Sequence, residues 1–219
     1  MTSKCAKSDS AEYIQKAVET GFAGMVFTNH FFRGNTAIDR DIPWKDFVEY
    51  YKKDWYNAKV EGDKADIDVI FGLEEGYGKG KECLIYGLTP ELIAGCADFS
   101  KLPIKELSAF VRENGGMIFC AHPFRQRGYI TDPSDEPDMT LFDGIEVYNR
   151  GNTDEDNLTA EIFAKKHNLL TIAGGDIHST GGFGFSGISL PERVHDGKEL
   201  VAALRKADFT LVKDNPTEK

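Results

Sequence analysis

The sequence predicts an α/β fold, and three observations carry that expectation. Short apolar, β-rich runs alternate with stretches of helical periodicity along almost the whole chain, which is the pattern of βα units around a parallel sheet. Several of the apolar runs stop at polar residues. In "NLLTIAGGDIHST" the run ends in two glycines and then offers Asp176 and His178, side chains that would project from the carboxyl end of a strand, where α/β folds keep their sites. Finally, 219 residues with 41% hydrophobic content can bury one large core, so a single domain over 1–219 is expected.

The elements follow in order. Ser8 or Ser10 can cap a helix that runs to about Thr20, with Glu12 at first-turn distance and Gly21 to end it. "GMVFT" reads as a strand. "WKDFVEYYKKDWYNAKVE" carries aromatic and aliphatic residues at helical spacing and leads into the strands "IDVIFGLE" and "ECLIYGL". "IKELSAFVRENGG" is a helix with a glycine C-cap, followed by the strand "MIFCAH". After an irregular loop from Arg125 to Met139 come the strand "GIEVYN", the helix "NLTAEIFAKKHN" and the strand "LLTIAGGD". The helix "GKELVAALRKA" and a short strand "FTLV" close the chain. It contains no repeat, low-complexity segment or internal linker.

Composition narrows the partners. The 26 Lys and Arg against 36 Asp and Glu give a net charge of -10, which disfavours long nucleic acid and anionic lipid, although an acidic chain can still take phosphate through metal ions. The four cysteines, Cys5, Cys83, Cys96 and Cys120, form no CxxC pair, and Cys120 lies in the apolar "MIFCAHP"; reduced thiols and a cytoplasmic location are expected. No apolar run approaches the ~18 residues of a membrane span, and "MTSKCAKSDS" has no signal-peptide core.

Four strands end in metal-competent residues: His30, Glu74 with Glu75, His122, and Asp176 with His178 just beyond. In a parallel barrel such ends meet at one mouth, so residues far apart in sequence can share a site. Imidazole nitrogen and carboxylate oxygen suit Zn²⁺, Mn²⁺ or Fe²⁺, and a carboxylate can bridge two ions. One such histidine alone would more simply cap its strand by hydrogen bonding; three of the five histidines at strand ends argue against coincidence. His167, near a helix end, and His195, in a polar loop, read as structural or exposed. Alternation along the strand lets only one of Glu74 and Glu75 face the mouth.

"VFTNH", "GLE", "CAHPF", "GIEVYN" and "GGDIHS" occur in the order and approximate spacing of the polymerase and histidinol phosphatase (PHP) family, and the chain resembles its stand-alone metal-dependent phosphoesterases. The resemblance implies a distorted seven-stranded β/α (TIM-like) barrel with two to three divalent ions (Zn, Mn or Fe) at the strand ends. It makes Glu74 the acid bridging two ions, with His122 on one and Asp176 on the other, and gives a third ion to His30 and His178. Glu74 and Asp176 would thus serve catalysis. Arg125 and Arg127 in "HPFRQR" and Arg150 in "YNR" are placed on loops to clamp phosphate; solvated loop arginines are the plain alternative.

Three departures stand out. Asn29 replaces the Asp that usually precedes His30, and Cys83 stands near the place where many relatives have a ligand histidine. The family also opens with a strand ending in His-x-His, and this chain begins "MTSKCAKSDS" without it. A start about ten residues late is the preferred explanation over a degenerate relative; strong turnover by the chain as written would need another donor, Cys5 or a neighbouring subunit, to complete that ion's shell. The expected function is metal-dependent hydrolysis of a small phosphomonoester or nucleotide by activated water. The alternatives are a PHP-like binding module that has lost a metal site, and an amidohydrolase-type C–N hydrolase.

Overall fold

The computed structural model describes residues 1–214. Its centre is a six-stranded mixed sheet in chain order: β1 (Gly24–Phe27), β2 (Asp68–Gly78), β3 (Lys81–Tyr86), β4 (Met117–Cys120), β5 (Gly144–Asn149) and β6 (Thr171–Gly174). β1 is parallel to β2 and β4, β5 and β6 are parallel to one another, but β3 is antiparallel to both its neighbours. The all-parallel expectation is corrected there. The two-residue connection from Gly78 to Lys81 is a hairpin turn, too short for the crossover that a parallel neighbour requires.

Two further short strands, β7 (Gly187–Ser189) and β8 (Thr210–Val212), pair antiparallel as a separate ribbon. Seven strands in one barrel sheet are therefore not observed among the described residues. The six-stranded sheet is nevertheless curled, because its two edge strands, β1 and β6, line one common cavity of about 290 Å³ together with Phe22, Ile177 and Leu204.

Helices cover the outer face: α1 (Ser10–Thr20), α2 (Trp44–Ala65), α3 (Pro90–Gly95), α4 (Ile104–Glu113) and α5 (Asp154–His167), with α6 (Gly197–Lys206) beneath the inner face. The cap of α1 is Asp9 rather than either neighbouring serine. Its carboxylate accepts from the Glu12 N–H while Glu12 returns a bond to the Asp9 N–H, so two orphan donors are satisfied reciprocally. α5 starts at Asp154, three residues earlier than its apolar spacing marks, because Thr153 and Asp156 form the same kind of box.

The pleat sorts β2 and β3 into two faces. Phe71, Leu73, Ile85 and Ile118 pack outward with Phe47, Tyr51 and Leu107. Ile70, Leu84, Tyr86 and Phe119 point inward and are closed from below by Leu200, Val201 and Leu204 of α6. The inner face is thus apolar at one end, and its other end carries the polar groups described next.

One outer cluster fixes the entry to the site. Phe31 is fully buried and meets Trp44, Phe47, Tyr51 and Phe99 edge-on. The Tyr51 hydroxyl lies 2.7 Å from the Asn29 carbonyl and 3.1 Å from that of Gly72. Together with the Phe31 N–H to Glu74 carbonyl bond of 2.7 Å, these contacts hold His30 beside the inner end of β2.

Candidate metal centre

Two carboxylates and two imidazoles converge at the polar end of the curled sheet. His30 Nδ1 lies 3.0 Å from Glu74 Oε2 and 3.0 Å from Glu82 Oε1. His122 Nε2 lies 3.2 Å from Glu74 Oε1 and 3.5 Å from Glu82 Oε2. Glu74, Glu82 and His122 are buried and His30 nearly so. Glu75, one residue on, points outward to Arg33 at 2.5 Å, which is the alternation expected of the strand.

Glu82 is the member that strand-end reasoning passes over. β3 runs antiparallel, so its beginning, not its end, reaches the mouth, and Gly76 pairs with Glu82 on the same face as Glu74. Cys83 consequently faces outward, fully buried, with its Sγ 3.4 Å from the Glu75 carbonyl; burial raises its pKa well above that of an ordinary thiol. The thiol near the family's histidine position is not at the site, and Glu82 is.

Glu146 is the second residue missed, hidden as one inward position within the apolar "GIEVYN". Its Oε2 accepts from the His122 N–H at 2.9 Å and from Asn149 Nδ2 at 3.0 Å. A Cβ at Gly174 would lie 2.7 Å from Glu146 Oε1, so the glycine that ends β6 makes room for this buried acid.

Asp176 and His178 follow those glycines. His178 Nδ1 is 2.9 Å from the Asp176 carbonyl oxygen. The Asp176 carboxylate pairs with Arg125, whose guanidinium also donates to Asn149 Oδ1 at 3.0 Å and Asn152 Oδ1 at 2.6 Å. Arg125 is buried in that network. Arg127 is exposed and donates to the Gly151 carbonyl on the rim. Arg150 is turned away: it pairs with Asp214 and donates to the Gly182 carbonyl. Cys5, His30, Glu74, Glu82, Asp176, His178, Arg125 and Arg127 line one cavity of about 780 Å³, and Arg150 does not. His167 and His195 are exposed, the latter 3.0 Å from Asp68.

The backbone is strained at two of these residues. His122 has φ 28° and Asp176 has φ 46°, left-handed values that cost a non-glycine residue roughly 1–3 kcal/mol. Such strain gathers where a fold holds side chains for a task.

The electrostatics tie the acids of the site to its imidazoles. Burial pushes the Glu74 carboxyl up, yet His122 and His30 outweigh it and hold the group well below the usual carboxylate range. Burial disfavours a charged His30, but Cys5, Glu74 and Glu82 more than reverse that and hold its pKa far above that of ordinary imidazole. His30 Nδ1 nevertheless makes no hydrogen bond, although two carboxylate oxygens lie within 3.0 Å. Two buried acids around one unsatisfied imidazole nitrogen can be balanced by a proton or, with the ring neutral, by a divalent ion. His30, Glu74 and Glu82 each offer a ligand atom within 4.8 Å of the others, so the residues fit such an ion. Among the described residues no helix is long and apolar enough to cross a membrane.

Residues 154–209 match the family model described as PHP-associated. No curated protein sequence matches the chain significantly. Among solved structures, a two-domain protein of Bacteroides vulgatus containing a PHP-like metal-dependent phosphoesterase is similar over 94% of this chain and 60% of its own, with TM-score 0.65 and 14% identity. A lesion-specific endonuclease of Pyrococcus furiosus is similar over 96% of this chain and 56% of its own, with TM-score 0.62 and 11% identity. An amidohydrolase of Chromobacterium violaceum is similar over 96% and 94%, with TM-score 0.52 and 15% identity. The chain thus spans less than two thirds of the first two. At these identities the likeness is one of fold, and the three names cover three chemistries. The PHP-associated segment and the shared fold together bear out the resemblance to the PHP family that the ordered motifs of the sequence carry.

Proposed function

We propose that this chain is, as a single domain, a metal-dependent phosphoester hydrolase of the PHP type, acting on a small phosphomonoester or nucleotide. The observation that carries the reading is the convergence of Glu74 and Glu82 on His30 and His122 beside an open cavity. His30, Glu74, Glu82, His122, Asp176 and His178 would hold two to three divalent ions of the Zn, Mn or Fe class. When bound, such ions neutralise phosphate oxygens and lower the pKa of a water toward neutrality.

The chain's own residues do the rest. Glu74, touching both imidazoles, spaces the two halves of the site. Glu146 orients His122 through its backbone, and Arg125 fixes the carboxylate of Asp176. Arg127, the one predicted arginine left exposed on the cavity rim, meets the phosphate. Arg125 is a positioning residue in this account and not a clamp, and Arg150 has no part in binding. The net charge of -10 favours small substrates over long nucleic acid.

The test is hydrolysis of p-nitrophenyl phosphate and of a mononucleotide by protein loaded with Mn²⁺ or Zn²⁺. Turnover that a chelator abolishes, and that Glu74→Ala lowers on the order of 10³-fold, about 4 kcal/mol of barrier, is expected. Metal-independent turnover, or none on any phosphoester with ions bound, would overturn the reading and favour a binding module.

A further inference from the structure

Cys83 and Cys120 stand far apart in the sequence and face each other in the fold. β3 and β4 are antiparallel, and their register sets Cys83 directly opposite Cys120. The Ala121 N–H donates to the Glu82 carbonyl at 3.1 Å, which makes Glu82 and Ala121 a hydrogen-bonded pair at the end of that ladder. Such pairs alternate along antiparallel strands, so Cys83 and Cys120 form a non-hydrogen-bonded pair, the closer kind, whose Cα atoms lie about 4.5 Å apart. Disulfides span Cα separations of about 4.4–6.8 Å, so the backbone as folded brings the two cysteines within bonding reach.

The two side chains also share a face, as directly opposed residues do. Both are fully buried in the outer cluster with Ile85 and Ile118, the next pair on that face of the same strands. Neither thiol is in a disulfide, and their polar contacts are weak ones. Cys83 Sγ lies 3.4 Å from the Glu75 carbonyl oxygen, and Cys120 Sγ lies 3.5 Å from the Tyr77 hydroxyl. Rotation about a Cα–Cβ bond gives up such a contact without moving the sheet. Cys5 and Cys96 are half-buried and lie outside the strands, so strand pairing sets no cysteine opposite either of them.

We propose that Cys83 and Cys120 are a two-electron redox site, a thiol pair that a small hydroperoxide converts into a cross-strand disulfide clamping β3 to β4. The peroxide first takes one thiol to a sulfenic acid and leaves as water. The second thiol then attacks that sulfur, the S–O bond breaks, and the hydroxyl departs with the thiol proton as a second water. In sum two S–H bonds and one O–O bond break, one S–S bond forms, and both electrons pass to the peroxide. An external dithiol reverses the step by exchange. Burial of both sulfurs makes the reaction slow and restricts it to small oxidants. The link would lie on the outer face, yet it joins the strand that carries Glu82 to the strand that leads into His122. It also closes the loop from Leu84 to Phe119, which restricts the unfolded chain. The inference is independent of whether the chain binds metal or hydrolyses phosphoesters.

The test treats the dilute, reduced, folded full chain with hydrogen peroxide and reads an unreduced digest by mass spectrometry. It needs no variant. One linked peptide pair is expected, joining Cys83 to Cys120, lighter by two hydrogens than the two thiol peptides together and separated again by dithiothreitol. The same chain oxidised in urea should give a mixture of pairings among its four cysteines, because the register that selects the pair is then gone. The urea midpoint of the oxidised chain should exceed that of the reduced chain and return with dithiothreitol. A link from either residue to Cys5 or Cys96, sulfinic acid at Cys83 or Cys120 in place of the link, or two intact thiols after peroxide has oxidised Cys5 and Cys96 to completion would overturn the proposal. A link that forms without raising the midpoint would overturn the clamp.

Discussion

Glu74 and Glu75 are adjacent, both buried and opposite in meaning. Glu75 faces the outer layer and is paired with Arg33, whose Nε and backbone N–H both donate to it. Its counter-charge is permanent, since a guanidinium does not lose its proton in a protein. Glu74 faces the curled interior, where among the described residues its paired cationic neighbours are His30 and His122 and where a second acid, Glu82, shares both. Imidazoles can exchange their protons for a metal ion; arginine cannot. Burial of a carboxylate alone therefore says little: these two acids are separated by the face of the sheet each occupies and by whether its partners are the histidines of the site.

The contrast can be broken most strongly on the structural side. Arg33→Ala should cost about 3 kcal/mol of stability, the scale for stripping the partner from a buried ion pair, and leave the bound metal unchanged. Denaturant melts and metal analysis of one preparation check both halves. Glu75 also gives a pH signature. Burial, against the opposing pull of Arg33, raises its carboxyl to about 7 from an ordinary 4.5. Between those values the folded chain holds a proton that the unfolded chain has released, so stability falls as pH rises through that window. Glu75→Gln should flatten this slope when both proteins are melted in chelator at pH 5 and pH 8.

On the chemical side, Glu82→Gln keeps the shape and removes one of the two charges facing His30. It should weaken divalent-ion binding by on the order of 10–100-fold with little loss of stability, as competition with a chelating dye would measure. The smallest effect is expected at the rim. Arg127→Ala should raise KM several-fold with kcat little changed, because an exposed loop arginine that meets a phosphate oxygen equally in the ground and transition states contributes uniform binding.

These residues also mark what the sequence could disclose. His30, Glu74, His122 and Asp176 were legible because β1, β2, β4 and β6 all run the same way, so each strand end arrives at the same mouth. Glu82 was not, because that rule looks at strand ends and β3 presents its start; the short Lys79-Gly80 turn was the signal available. Glu146 was disguised by alternation, since an inward acid within "GIEVYN" reads as one polar position of a half-buried strand. Arg150 looked free in sequence and is held by Asp214, a contact 64 residues away. The ribbon of β7 and β8 was half seen: "FTLV" has strand composition, whereas "GIS" is too short to announce itself without its partner.

One acid of the adjacent pair, Glu74, holds the metal, and the other does not. Metal content of purified Glu74→Ala and Glu75→Ala, each shown to be folded and loaded identically, tests that most directly. Glu74→Ala should lose bound ion, and Glu75→Ala should keep the stoichiometry of the unaltered chain even where it is less stable. Equal losses from two folded variants would contradict it, because the partner distinction between Arg33 and the two histidines would then decide nothing.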